Sequence, residues 1–201
     1  MRWFTLEHSR AAWWADIALY AAASLSLCLT LLAGSPAGSG LTLTLWAVAG
    51  VASWTLVEYV LHRFVLHGLP PFSDWHAEHH RRPTALIASP TWITVLLFLG
   101  LAAGPAWWLL GRWPACALSF GLVTGYLGYG LAHHATHHRV PWLSPRNAWL
   151  ARRRRSHALH HAHHGHAVMF PEAGSRHFGV TLDFWDQVFG TASAPAPGRQ
   201  R

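Results

Sequence analysis

The sequence predicts an all-α integral membrane fold with four transmembrane helices, and three observations predict it. The chain is 52% hydrophobic and only 11% charged, with thirteen tryptophans, a balance that suits lipid rather than water. Four apolar runs approach the roughly twenty residues that a helix needs to cross a bilayer core. After the second and fourth runs, histidine recurs at helical spacing.

The first run, 12–32, carries one acid, Asp16, near its start and stops at the flexible turn GSPAGSG (34–40). It shows no clear small-residue cleavage site, so it reads as a retained anchor rather than a signal peptide. The second, 41–61, is apolar except for Glu58 in its last turn and runs straight into HRFVLH. The third, 91–110, and the fourth, 115–131, are separated by the short link GRWP.

Orientation follows from arginine, which supplies all fifteen basic residues. Arg2 and Arg10 precede the first span, Arg63, Arg81 and Arg82 lie between the second and third, and Arg139, Arg146 and Arg152 to Arg155 follow the fourth. The opposite connections hold only Arg112. The positive-inside rule then places both termini and the long central segment on the cytoplasmic face. No nucleic-acid reader motif accompanies the net charge of +7. Anionic lipid head groups are the expected counter-charge, with the RRRR run as a lipid-facing, topology-setting patch. Cys28 and Cys116 sit far apart in apolar runs, which excludes a disulfide framework and a thiolate metal site.

Sixteen of the seventeen histidines follow spans two and four, so the topology delivers them to one membrane face. In an α-helix, residues three and four apart share a side. His76, His79 and His80 have that spacing, and so do His157, His160 and His161. In HHATHH, His133 pairs with His137 and His134 with His138. His62 and His67 are five apart, about 140° on an ideal helix, so His67 is expected just past the helix end at Gly68. A single HxxH is more often a satisfied surface or core pair than a ligand set. Four clusters on one face reverse that, because every ring brings two nitrogens that need partners. Imidazoles alone can hold two divalent ions. The predicted architecture is therefore a bundle with a cytoplasmic histidine-rich helical cap holding a dimetal site. His163, His164 and His166 have no matching triplet and are assigned to solvent or head groups, since the helix should fail at Gly165.

The stretches EYVLHRFVLHG (58–68), DWHAEHH (74–80), GYLGYGLAHHATHH (125–138), SHALHH (156–161) and FGVTLDFWDQVFGT (178–191) together resemble the fatty acid hydroxylase superfamily of membrane di-iron enzymes. The resemblance covers roughly 54–191, within a single domain of 1–191 followed by a disordered tail, 192–201. Its FGVT and FWDQVFGT segments favour the fatty acid and sterol branch over the carotenoid branch. The ligands it implies are His62, His67, His76, His79, His80, His133, His137, His157, His160 and His161. His133 with His137 is the register the family pattern prefers, and His138 is an extra candidate. Gly130 departs from the pattern, since the family's hydroxylases often have Asp there. Glu58, one turn before His62, is a candidate to hold an imidazole in the right tautomer, and Asp183 and Asp186 are candidates for similar support. Glu78 is expected to be solvated.

The resemblance implies two iron ions, with zinc as a possible substitute in isolated protein, and dioxygen as co-substrate for hydroxylation of a fatty acyl or ceramide-type chain. The alternatives are a sterol-modifying oxidase or desaturase, a carotenoid hydroxylase or, in another class, a non-catalytic metal-binding or transport protein. With no cytochrome or ferredoxin domain in 201 residues, electrons are expected from a separate cytochrome b5-like or ferredoxin-like donor.

Overall fold

The computed structural model describes residues 6–140, 144, 146–163 and 177–192. These form an all-helical chain. Helix α1 is Arg10–Gly34, α2 is Gly40–Leu66, α3 is Phe72–Arg81, α4 is Thr91–Leu110, α5 is Arg112–His137, α6 is Ala148–His163 and α7 is Phe184–Val188. Four of them, α1, α2, α4 and α5, are long and apolar enough to cross a membrane. Each expected span is present, and two run on. The second continues to Leu66 and the fourth to His137, so helix outlasts the apolar run and carries histidines beyond it. The expectations for His163, His164, His166 and the tail concern side chains that lie, apart from Ala192, outside the described residues.

Two stretches within the spans depart from regular α-helix. Leu61–Leu66 winds as π-helix and so does Phe98–Ala103. The second lies just before Pro105, which lacks the N–H that an α-helical carbonyl one turn back would need. At the start of α1, Ser9 caps the helix by accepting the Ala12 N–H at 3.1 Å.

Spans α2 and α5 pack backbone to backbone at a pair of glycines. A Cβ on Gly121 would lie 2.1 Å from the Ala47 carbonyl oxygen, and one on Gly50 would lie 2.4 Å from that of Leu118. In lipid, such close approach replaces the missing hydrophobic drive between helices. Span α1 adds a hydrogen bond between the Ser24 and Thr124 hydroxyls at 2.7 Å. Tyr20, Trp54, Phe98 and Tyr126, one from each span, interlock with ring centroids 4.6–5.9 Å apart.

The segment before α1 crosses over the segment before α4. His8 N donates to Leu86 O at 2.8 Å, Ala88 N donates to Leu6 O at 3.2 Å, and Arg82 pairs with Glu7 at 2.6 Å. Asp16, the acid of the first span, accepts the Thr91 hydroxyl at 2.5 Å and lies 3.1 Å from His8 Nδ1. These contacts tie α1 and α4 together at the end of the bundle that α3 covers.

Candidate metal centre

All ten candidate ligands converge at one end of the bundle, although they come from four separate elements. His62 and His67 lie at the end of α2, His76, His79 and His80 on α3, His133 and His137 in the last turns of α5, and His157, His160 and His161 on α6. The i, i+3, i+4 spacing works on α3 and α6 as the geometry of a helix requires. At the end of α2, the i→i+5 bonding of the π-helical turn stacks residues five apart more nearly than α-helix does. His62 and His67 thereby meet, with ring centroids 5.2 Å apart, and His67 follows the last helical residue as expected.

The donors fall into two groups. One contains His62, His67, His76, His80 and His160, and the other His79, His133, His137 and His157; within each, the donor atoms lie within 4.8 Å of one another. In the first group, the Nε2 atoms of His62 and His76, of His76 and His80, and of His67 and His160 are 3.0–3.1 Å apart. In the second, His133 approaches His79 and His157, and His157 approaches His137, at 2.8–3.2 Å. Neutral rings cannot satisfy so many Nε2 atoms by hydrogen bonding to each other, because each such bond needs one proton on one partner only. Two nitrogens bound to one ion at about 2.1 Å are roughly 3.0–3.4 Å apart, so the spacing fits two shared cations. His161 sits at the seam: its Nε2 is 3.1 Å from that of His157 while its ring stacks on His80 at 4.1 Å.

Burial favours the same chemistry. His160 and His62 are 0% and 1% exposed. Burial, followed by the crowding of neighbouring imidazoles, pushes the pKa values of His76, His157 and His160 well below the ordinary histidine value and that of His79 to about 3. The rings are therefore neutral and able to donate lone pairs at physiological pH. His62 Nδ1 donates to the Phe178 carbonyl at 2.5 Å, which leaves its Nε2 without a proton and 3.0 Å from His76 Nε2 of the first group.

The carboxylates do something other than expected. Glu58, buried, accepts the N–H groups of Val180 and Thr181 at 2.6 and 2.8 Å and the Thr181 hydroxyl at 2.5 Å. Asp186, fully buried, accepts the N–H groups of Phe178 and Gly179, both at 2.8 Å, and the Thr191 hydroxyl at 2.7 Å. These bonds run to the loop that carries Phe178, and among the described residues neither carboxylate makes the expected direct bond to an imidazole. Asp183 pairs with buried Arg153 at 2.9 Å. Arg154 donates to the carbonyls of Ala135 and His138 at the end of α5, at 3.0 and 2.8 Å. Half of the RRRR run is thus structural rather than lipid-facing, whereas Arg152 and Arg155 stay exposed. Glu78 bonds to Arg81 and Arg82 at the surface.

HHATHH splits between two faces. His133 and His137 enter the second group, while His134 and His138 stack on each other at 4.2 Å and His134 stacks on Trp13 at 4.1 Å. Tyr129 stacks on His133 with ring centroids 5.8 Å apart. Gly130 lines a cavity, where a Cβ would meet only Ile17 Cδ1, at 3.9 Å. Phe178 was not singled out in the sequence as a functional residue; the only signal was its place at the head of FGVT.

A cavity of ≈ 960 Å³ reaches from the histidines into the bundle. His76, His79 and His133 line it, as do Leu101, Leu109 and Leu110. The α4 residues that line it run from Ile93 to Leu110, about 26 Å at 1.5 Å per residue.

The fatty acid hydroxylase family model matches residues 47–191. The chain belongs to the fatty acid hydroxylase family. Members of this family are oxidoreductases. A dihydroceramide fatty acyl 2-hydroxylase of Arabidopsis thaliana is 30% identical over 91% of this chain and 74% of its own length. A ceramide very long chain fatty acid hydroxylase of Saccharomyces cerevisiae is 32% identical over 73% of this chain. The chain spans only 37% of that yeast relative and 41% of its Schizosaccharomyces pombe counterpart. The solved structure of full-length Scs7p, with only its hydroxylase domain visible, superimposes with a TM-score of 0.71 at 25% identity, covering 96% of this chain and 69% of that one.

Proposed function

We propose that this protein is a dioxygen-dependent di-iron hydroxylase that inserts oxygen into a C–H bond of a fatty acyl or ceramide-type lipid. The single observation that carries the reading is two converging groups of histidine donors at the head of a largely apolar cavity that runs into the bundle. The ten histidines are the ligands, and His161 lies where it can complete the second group. Bound iron would supply dioxygen activation. The chain itself fixes the imidazoles, excludes water and steers the substrate. Trp13, Asp16, Ser89, His134 and His138 also line the cavity, and their polar atoms suit a lipid's head, while the leucines of α4 suit its tail.

The fatty acyl and ceramide substrates named for the relatives favour an acyl chain over a sterol. Arginine asymmetry supports placing the metal centre and both termini on the cytoplasmic side. There a separate electron-donor protein would reach exposed Arg152 and Arg155. Residues 1–191 act as one catalytic domain in this reading.

The test is incubation of purified, iron-loaded protein with a reducing donor, dioxygen and separate pools of ceramide, free fatty acid and sterol, followed by mass spectrometry. Addition of one oxygen atom to an acyl chain is expected. Product from sterol alone, or from no lipid, would contradict the proposal.

A further inference from the structure

The two histidine groups are not held alike. Four consecutive backbone N–H groups, from Phe178 to Thr181, all donate to buried carboxylates on other elements, the first two to Asp186 and the last two to Glu58. Each such N–H left without an acceptor would be costly, so the loop has a strong reason to stay where the carboxylates put it. Gly179 is required there, since a Cβ would lie 1.9 Å from the Leu182 carbonyl oxygen. The Phe178 carbonyl receives the His62 N–H, and the Phe178 ring lies 5.5–5.8 Å from those of His62, His67 and His160, all of the first group. In the second group, by contrast, the hydrogen-bond contacts of the rings among the described residues run between imidazoles and not to this loop. Those rings take their orientation from helix packing.

We infer that the clamped 178–181 loop controls occupancy of the first metal subsite alone, with Glu58 as a positioning residue acting through the Phe178 carbonyl. The inference rests on the metal-centre reading above. It makes the two subsites separable: one is completed by a segment more than a hundred residues away from its first ligand, the other by the helices themselves. Glu58→Gln keeps the volume but replaces the oxygen that accepts the Thr181 hydroxyl with an amide NH2, so the loop loses one of its two acceptor atoms on this side chain and the carboxylate charge. The predicted consequence is a first subsite weakened by about 10- to 100-fold, the usual scale for loss of a ligand's outer support, with the second unchanged.

The experiment strips the detergent-purified full chain of metal, titrates it with Fe(II) without oxygen, and measures bound iron per chain after removal of free metal. Wild type is expected to retain two ions and Glu58→Gln one. Adding His133→Ala to Glu58→Gln should remove the remaining ion. Thr181→Val, which deletes one hydroxyl bond to Glu58, should weaken the same subsite by less, and it decides the question if Glu58→Gln fails to fold. Retention of two ions at wild-type affinity in the variants overturns the inference, as does simultaneous loss of both ions with helix content intact. A wild type that binds two ions but oxidises no lipid would defeat the proposed function and leave this inference standing.

Discussion

The membrane half and the capped half of this molecule invert each other. In the bundle, large apolar side chains such as Leu99 and Trp108 face outward and the contacts between spans are small: a glycine pair, a hydroxyl pair and an interlocked set of aromatics. In the cap, the most deeply buried side chains include His62, His160 and Asp186, each with a specific polar neighbour. The bundle depends on a general property, apolarity over a sufficient length, which many sequences satisfy. The cap depends on individual atoms, because every buried polar group there needs its own partner. Substitutions should therefore be tolerated in one half and not in the other.

The largest effect is expected where burial and ligation coincide. His160→Ala should lower iron retention and lipid oxidation by at least about 100-fold while leaving the helix content measured by circular dichroism unchanged. If turnover survives, the cap is not the catalytic half.

Acidification should come next. His76, His79, His157 and His160 are held neutral in the folded protein by pKa values below the ordinary one, that of His79 at about 3. In the unfolded chain each would take up a proton near pH 6.5. The unfolded state thus binds more protons below that value, so stability and metal retention are full above about pH 6.5 and fall as pH drops toward the folded values. Metal content and thermal midpoint followed from neutral to mildly acidic pH should decline together, and a flat response would contradict the burial of neutral rings.

A smaller loss is expected in the bundle. Gly121→Leu forces side-chain atoms into the α2 backbone and should cost about 1–3 kcal/mol of stability, lowering the thermal midpoint while the protein that remains folded still carries two metals. The smallest effect belongs to the lipid-facing surface. Trp108, 84% exposed, is expected to tolerate Ala within about 0.5 kcal/mol. A large loss there, measured by thermal shift in detergent, would show that this face is a protein contact instead.

The same contrast explains what could be read in the sequence. The spans were legible because length and hydropathy are local, and the triplets on α3 and α6 because helical geometry fixes which residues share a side. The His62–His67 spacing signalled something irregular, but the π-helical turn that reconciles it depends on packing. Spacing along the helix makes His62 the nearest partner for Glu58, whereas the groups it bonds to directly lie more than 120 residues away. Arg153 and Arg154 belonged to an apparently uniform basic run, and only the fold distinguishes them from Arg152 and Arg155.

X-ray absorption at the iron edge of the loaded full chain tests the central claim most directly. Two ions per chain with a first shell of imidazole nitrogen at about 2.1 Å is the predicted result. A shell dominated by water or carboxylate oxygen, or by sulfur, would contradict the account.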